Sequence, residues 1–125
     1  MKTLSKSDLE KIEKFAKSYS DIVALYVFGS VATGKNRRGS DMDLAIMVRG
    51  NIKGENRLNM ETVLSNLLGQ DVDLVVFGQA TPLLQHQILK YGHLLYESDV
   101  SQRVMQEVAA RNAYLDTEYL YKELR

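Results

Sequence analysis

Hydrophobic residues follow two different spacings along this chain, and each spacing predicts a different kind of element. Three runs rich in apolar and β-branched residues, over 22–28, 42–48 and 71–77, predict three strands. The first run is apolar at every position, which is typical of a strand buried on both faces of a sheet. We therefore expect 22–28 to be the central strand, and 92–96 to add a short fourth strand.

Helical spacing opens the chain and recurs after the second strand. Ser7 and Glu10 have the spacing of a capping box, which predicts a helix that ends near Ser20. The apolar positions of this helix are Leu9, Ile12, Phe15 and Ala16. Gly69 is placed to end a second amphipathic helix. The residues that indicate this second helix are Leu58, Thr62, Leu64, Leu67 and Leu68.

Two further helices follow the third strand. Thr81 is a cap followed by Pro82 at the first helical position, which predicts a short helix to about Tyr91. Ser98 and Asp99 cap a long last helix that runs to the C-terminus. Its recurring apolar positions are Val104, Val108, Leu115 and Tyr119. The element order is αβ(loop)βαβαβα without a repeat or linker, so we expect a single domain over residues 1–125.

Length and composition narrow the class of protein. With 125 residues, 45% of them hydrophobic, the chain is large enough to bury a core without disulfides or metal. It has no cysteine, which excludes disulfide scaffolds, zinc ribbons and thiol chemistry. Sixteen basic residues balance sixteen acidic ones, so overall charge does not favour a nucleic-acid polymer as partner. Because no stretch approaches the roughly 20 apolar residues that span a bilayer, we expect a cytoplasmic protein.

The segment between the first two strands has the residues of a nucleotide site. Gly29 and Ser30 end one strand, and ten residues later Asp41 and Asp43 begin the next. Alternate residues of a strand lie on one face about 6.6 Å apart, so the two carboxylates can converge on cations about 3.5–4 Å apart. Neighbouring aspartates raise each other's pKa, and Mg²⁺, which prefers oxygen ligands, removes that repulsion. The pattern therefore predicts a site for two metal ions.

A third carboxylate is needed to hold the second ion or to accept a proton from the attacking hydroxyl. Asp71 and Asp73 begin the third strand on the same face, so spacing alone does not choose between them. We prefer Asp73, because Asp71 directly follows the end of the helix and is expected at the solvated edge. Gly29 would let backbone amides approach a phosphate, and Ser30 adds a hydroxyl donor. Together these residues predict a triphosphate site.

Two competing motifs and a basic cluster share this segment. Residues 29–35 match most of a phosphate-binding P-loop, but Asn36 stands where a P-loop has the serine or threonine that binds magnesium. An EF-hand loop starting at Asp41 would need glycine and glutamate where the chain has Ile46 and Ile52. Neither motif fits. The basic cluster either steers an anionic nucleotide or is simply solvated. Its members are Lys35, Arg37 and Arg38.

The spacing of Gly29-Ser30 to Asp41 and Asp43 resembles the signature of the polymerase-β-like nucleotidyltransferases. The chain is similar to their smallest members, the minimal nucleotidyltransferases or MNT proteins, closely over residues 22–96 and more loosely in the C-terminal helix. The resemblance implies an α+β fold: a nucleotidyltransferase-type mixed β-sheet of three to five strands packed with helices, and a long C-terminal helix. The chain departs at Thr33, where many relatives have arginine, which bears on how tightly phosphate is held.

The resemblance also implies roles for the site residues and a partner. Gly29 and Ser30 would hold the triphosphate of the substrate ATP. Asp41 and Asp43 would bind both of two Mg²⁺ ions, and Asp73 would bind the catalytic ion and help to activate the acceptor. MNT proteins are commonly encoded beside a HEPN-domain toxin and serve as its antitoxin. The resemblance therefore implies a HEPN toxin as partner, in a hetero-oligomer.

Three functions follow from these observations. The first is transfer of AMP from ATP to a tyrosine hydroxyl of the toxin, because the residues after Asp73 form no second domain that could supply an acceptor pocket. The second is modification of a small molecule such as an antibiotic, which would need an additional helical domain or a dimer. The third is a non-catalytic antitoxin that blocks the toxin by binding. Tyr114, Tyr119 and Tyr121 on the last helix fit either a partner interface or the edge of the core.

Overall fold

The computed structural model describes residues 4–33 and 41–124. Helices and strands alternate in the predicted order, and a short helix begins the loop after the first strand. In chain order the elements are α1 (Lys6–Lys17), β1 (Ile22–Phe28), α2 (Gly29–Thr33), β2 (Met42–Val48), α3 (Gly54–Leu68), β3 (Val72–Val76), α4 (Pro82–Tyr91), β4 (His93–Glu97) and α5 (Val100–Glu123), with a 3₁₀ turn at Phe77–Gln79. Within the described ranges, none of the helices is long and apolar enough to cross a membrane.

The four strands form one mixed sheet in the order β3-β2-β1-β4. β1 pairs antiparallel with both β2 and β4, whereas β2 and β3 run parallel. β1 is therefore an inner strand, and every side chain from residue 22 to residue 27 is buried. The predicted inner position of this strand is confirmed, as is the α+β class with a mixed sheet and a long C-terminal helix.

Helices cover both faces of the sheet, and each face has its own apolar core. The core on the first face is shared with α1 and α3, and includes Ile12, Phe15, Leu25, Met42, Leu44, Leu64, Val72 and Leu74. The core on the second face is shared with α4 and α5, and includes Val23, Tyr26, Ala45, Met47, Phe77, Ile88 and Ala110. Because side chains alternate along a strand, Asp43 and Asp73 lie on the second face of the sheet.

The first helix begins earlier than its predicted cap. Ser5 is the N-cap and accepts a hydrogen bond from the backbone amide of Asp8, whose side chain accepts one from the Ser5 amide. The predicted capping box of Ser7 and Glu10 is therefore wrong, because Ser5 and Asp8 form the same motif closer to the N-terminus. The predicted inward face is confirmed except at Leu9, which is 39% exposed.

The inward face of α3 agrees only in part with the one that the sequence indicated: Leu64 and Leu68 are buried as predicted, but other predicted positions are not. Leu58 and Leu67 are 52% and 40% exposed. The buried positions are Met60, Leu64 and Leu68. These three are spaced four residues apart, so they form a narrow stripe that packs against the first face. The predicted end of the helix is confirmed, because Gly69 caps it in the left-handed conformation with φ 66°.

Helix α5 leaves much of its apolar surface exposed. Val104, Val108, Leu115 and Tyr119 indicated the helix correctly, but they are 44%, 47%, 58% and 64% exposed. The buried positions are Glu107 and Ala110. Its predicted start is confirmed at Asp99, whose side chain accepts a hydrogen bond from the amide of Gln102. Thr81 and Pro82 likewise begin α4 as predicted.

A hydrogen-bonded network ties α5 to the sheet. The carboxylate of Glu107 accepts a hydrogen bond from the Tyr26 hydroxyl of β1 and, at 2.8 Å, one from Arg103. Arg103 also forms an ion pair with Glu97 of β4. Burial raises the pKa of Tyr26, so its hydroxyl stays protonated and donates to Glu107. Glu107, Tyr26 and Arg103 therefore all have hydrogen-bond partners where α5 crosses the sheet.

The three tyrosines of α5 divide into two groups. The ring of Tyr114 stacks on that of His86 in α4, with centroids 3.8 Å apart and planes 5° apart. Tyr119 and Tyr121 are 64% and 62% exposed. Tyr114 therefore packs two helices together, whereas the other two present much of their rings on the surface.

Candidate active site

The pairing of the strands brings two of the predicted carboxylates side by side. In the parallel register of β2 and β3, Asp43 is the partner of Asp73. On its other side Asp43 pairs with Phe28, the last residue of β1. Neighbouring strands lie about 4.8 Å apart, and both aspartates are on the second face, so their side chains are direct neighbours. The site is therefore built across three strands, with Asp43 at its centre.

Mutual repulsion and burial perturb these carboxyl groups. The pKa of Asp43 is raised first by burial and then by the charges of Asp73 and Asp41. The pKa of Asp73 is also raised by burial, and next by the charge of Asp41 and a hydrogen bond with its side chain. The three aspartates thus form one coupled acidic cluster.

Gly29 has no room for a side chain. Its φ of 71° lies in the left-handed region, and a Cβ built on it would lie 2.2 Å from Oδ2 of Asp43 and 3.1 Å from its Cγ. Both facts require glycine at this position. The sequence predicted that Gly29 would let the backbone approach a phosphate. The structure adds that this glycine also leaves space for the central carboxylate of the cluster.

The structure distinguishes Asp73 from Asp71 by position. Both side chains are exposed, but Asp71 precedes β3, and its carbonyl oxygen accepts a hydrogen bond from the amide of Met42 at 3.0 Å. Asp73 lies within β3 and faces Asp43. This geometry favours Asp73 as the third carboxylate, and its role stays a prediction.

The donor set suits hard divalent cations. Three carboxylates supply only oxygen ligands, and the raised pKa values of Asp43 and Asp73 reflect a concentration of negative charge that a cation would relieve. In the described part of the chain, however, no three acidic or histidine side chains already converge as one ligand group.

Several residues around this site were not singled out by the sequence. Glu61 of α3 lies close enough to Asp73 that its charge also raises the pKa of that carboxyl group. His93 contacts the carbonyl oxygen of Ala32 at 3.1 Å and so ties β4 to the helix that follows β1. Arg57 and Glu61 are four residues apart, which is the spacing of a helical ion pair, and this spacing is the signal in the sequence that could have pointed to them. His93 has no comparable signal in the sequence.

Part of the predicted site lies outside the described residues. This part contains the basic cluster of Lys35, Arg37 and Arg38, together with Asn36 of the competing P-loop motif. Ser30 lies in the single helical turn of α2 and is partly buried. The proposed contacts of Ser30 with phosphate stay a prediction.

Comparison with known proteins decides the family. The family model described as "Polymerase beta, Nucleotidyltransferase" matches residues 10–101, which include Gly29, Ser30 and all three aspartates of the cluster. The chain belongs to this nucleotidyltransferase family. The resemblance inferred from the Gly-Ser and Asp-x-Asp spacing is thereby confirmed.

Individual relatives refine this comparison. The protein adenylyltransferase MntA of Shewanella oneidensis is 32% identical over 72 residues, which are 58% of this chain and 52% of that protein. The chain thus matches about half the length of this curated relative. A chain from a toxin–antitoxin complex crystallised with AMP-PNP is similar with a TM-score of 0.82 and 24% identity, covering 93% of this chain and 94% of that one.

A second solved structure has the same fold. It is the complex of tri-AMPylated Shewanella oneidensis HEPN toxin with MNT antitoxin, and one of its chains is similar with a TM-score of 0.77 and 21% identity. The similarity covers 94% of this chain and 92% of that chain. At such identities the two structures establish the fold, including the C-terminal helix beyond the family match.

Proposed function

We propose that this chain is an adenylyltransferase that moves AMP from ATP to a tyrosine hydroxyl of a HEPN-domain toxin and thereby acts as its antitoxin. The observation that carries the proposal is the register of β2 and β3, which sets Asp43 beside Asp73, with Gly29 against the central carboxylate. The family match supports nucleotidyl transfer as the reaction class. The relative named as a protein adenylyltransferase supports a protein acceptor.

The proposed reaction is an in-line displacement at the α-phosphorus of ATP. The acceptor oxygen forms a new bond to this phosphorus, the bond to the bridging oxygen breaks, and pyrophosphate leaves. Asp73 would take the proton of the attacking hydroxyl. Gly29 and Ser30 would hold the triphosphate through backbone amides and a hydroxyl.

The three aspartates would also hold the cofactor. Asp41 and Asp43 would bind two Mg²⁺ ions, with Asp73 as an additional ligand of the catalytic one. When bound, the ions would stabilise the charge that develops on the reacting phosphate. The coupled acidic cluster supports this assignment, because it concentrates negative charge that Mg²⁺ would neutralise.

A partner protein would supply the acceptor. Similar chains occur in complexes of MNT antitoxin with HEPN toxin, one of them tri-AMPylated. In this chain, the exposed apolar residues of α5, among them Leu115, Tyr119 and Leu120, offer a surface for such a partner. We place the reaction in the cytoplasm, where ATP and an intracellular toxin meet.

The direct test uses ATP labelled at either the α- or the γ-phosphate, with the chain, Mg²⁺ and the product of the neighbouring toxin gene. Label from the α-position should reach the toxin, and label from the γ-position should not. Asp41→Asn and Asp43→Asn should each lower transfer by at least about a hundredfold, or about 2.7 kcal/mol of transition-state stabilisation. Asp21→Asn, an exposed aspartate before β1, is the matched control and should keep full activity.

The same variants separate the alternatives. If both aspartate variants lose transfer but still neutralise the toxin, the chain acts as a non-catalytic antitoxin that binds its target. Label on an antibiotic-type small molecule, with none on the toxin, would support the small-molecule transferase. Retention of near wild-type transfer by either variant would contradict the metal site itself.

A further inference from the structure

A polar stripe on α3 faces the open edge of β3. We call Arg57, Glu61 and Ser65 the edge stripe; they are spaced four residues apart, beside the apolar stripe of the same helix. Among the described residues β3 is the terminal strand of the sheet, so no strand of that part of the chain pairs with one side of its backbone. Unpaired edge groups normally need water or another partner.

The edge stripe supplies those partners on both sides of Asp73. Ser65 Oγ accepts a hydrogen bond from the amide of Val72 at 3.1 Å. Glu61 Oε2 accepts one from the amide of Leu74 at 2.8 Å. Arg57 Nη1 donates to the carbonyl oxygen of Leu74 at 3.0 Å and to Glu61 Oε2 at 3.0 Å. The amide of Leu74 thus has an acceptor and its carbonyl oxygen has a donor, as they would have if a fifth strand paired with β3.

The geometry of the two elements explains why this works. Four residues advance an α-helix by about 6.0 Å, and two residues advance a strand by about 6.6 Å. Side chains four apart on a helix therefore match the outward backbone groups of every second strand residue. Val72 and Leu74 are such residues: the carbonyl oxygen of Asp71 accepts a hydrogen bond from Met42 of β2, so the backbone groups of the next and every second residue point to the opposite side, toward α3.

We propose that Arg57 and Glu61 are positioning residues that hold Asp73 in the active site by capping the edge of β3 at Leu74. Asp73 lies between the two capped residues, so fraying of this edge would move its carboxylate relative to Asp43. The inference rests on the proposed function for the role of Asp73 in transfer. The capping itself is independent of that function.

The variants separate hydrogen bonding from charge and from general stability. Glu61→Ala removes the acceptor of the Leu74 amide together with the charge. Glu61→Gln removes only the charge and keeps an oxygen that accepts the same hydrogen bond. Glu55→Ala removes an exposed carboxylate from the first turn of the same helix and is the matched control.

The experiment measures amide hydrogen exchange at Leu74 together with the kinetics of AMP transfer. Glu61→Ala should speed exchange at Leu74 and lower kcat, each at least about tenfold, with KM for ATP changed less than about twofold. Glu61→Gln should bring both quantities back to within about threefold of the wild type. Glu55→Ala should leave both unchanged.

Two results would overturn the proposal. One is faster exchange at Leu74 with unchanged kcat, because the cap would then be structural only. The other is an equal loss of kcat in Glu61→Gln and Glu61→Ala, because charge would then be the cause. Failure of the proposed function looks different: the wild type would transfer no label, while exchange at Leu74, which needs no substrate, would still respond to the Glu61 variants.

Discussion

Substitution of Gly29 by alanine tests the central contact of the site. The added methyl group would meet Asp43 Oδ2 at 2.2 Å, and the backbone would keep a φ of 71° that alanine rarely adopts. Real Cβ contacts essentially never fall below 3.0 Å, so the carboxylate must move by nearly 1 Å. The substitution therefore displaces one carboxylate of the cluster without removing its charge.

The effects of this substitution on stability and on activity have different expected magnitudes. A left-handed φ costs a non-glycine residue about 1–2 kcal/mol of stability. Pushing a side chain off its rotamer adds about 0.5–1.5 kcal/mol. Displacing a catalytic group by about 1 Å costs about a hundredfold in rate, or about 2.7 kcal/mol. Gly29→Ala should therefore be modestly destabilised but lose most of its activity.

Gly50→Ala is the matched control. Gly50 has a φ of 70°, and nothing lies within 4 Å of the position that a Cβ would occupy, so alanine there carries the backbone cost without the collision. Urea unfolding should place Gly29→Ala below Gly50→Ala by about 0.5–1.5 kcal/mol. Transfer of AMP, measured under saturating Mg²⁺, should be lost only in Gly29→Ala. Equal stability and activity of the two variants would refute the reasoning, because the predicted collision would then have no consequence.

Three further outcomes are expected. Without metal, Asp43→Asn should gain stability over the wild type as pH rises above about 4, because the raised native pKa lets the unfolded chain release the Asp43 proton at a lower pH than the native state does. Thermal melts that show a pH-independent difference would contradict this. Glu107→Ala should cost about 2–3 kcal/mol in urea unfolding, since Tyr26 and Arg103 lose their acceptor, whereas Tyr26→Phe should cost about 1 kcal/mol. Tyr119→Asp should weaken toxin binding at unchanged melting temperature and ATP affinity, because the ring is 64% exposed; a lower melting temperature would instead assign it to packing.

Local patterns in the sequence were sufficient to predict the elements and to propose residues for the candidate site. The apolar run over 22–28 identified an inner strand, because a strand buried on both faces has no polar positions. Gly69 and Pro82 marked helix boundaries, because their backbone preferences act within one or two residues. The spacing of the acidic motif from Gly29 is likewise local, and it was enough to indicate the family that the comparison establishes.

Local patterns did not fully show which residues of α3 and α5 face the sheet. Of the predicted positions of α3, Leu64 and Leu68 pack against the sheet, whereas Leu58 and Leu67 are exposed and Met60 completes the buried stripe. A helical period shows that an apolar stripe exists but not which neighbour covers it.

Tertiary structure alone decided which residues meet. Asp43 and Asp73 are thirty residues apart in the sequence, and only the parallel pairing of β2 with β3 makes them neighbours. The same pairing leaves the edge of β3 open, so that Glu61 can cap it beside Asp73. The contact of Gly29 with Asp43 likewise follows from the packing of strand ends. Sequence determines these elements through short-range backbone and burial preferences, whereas their contacts depend on strand register, which is set by the collective packing of distant segments.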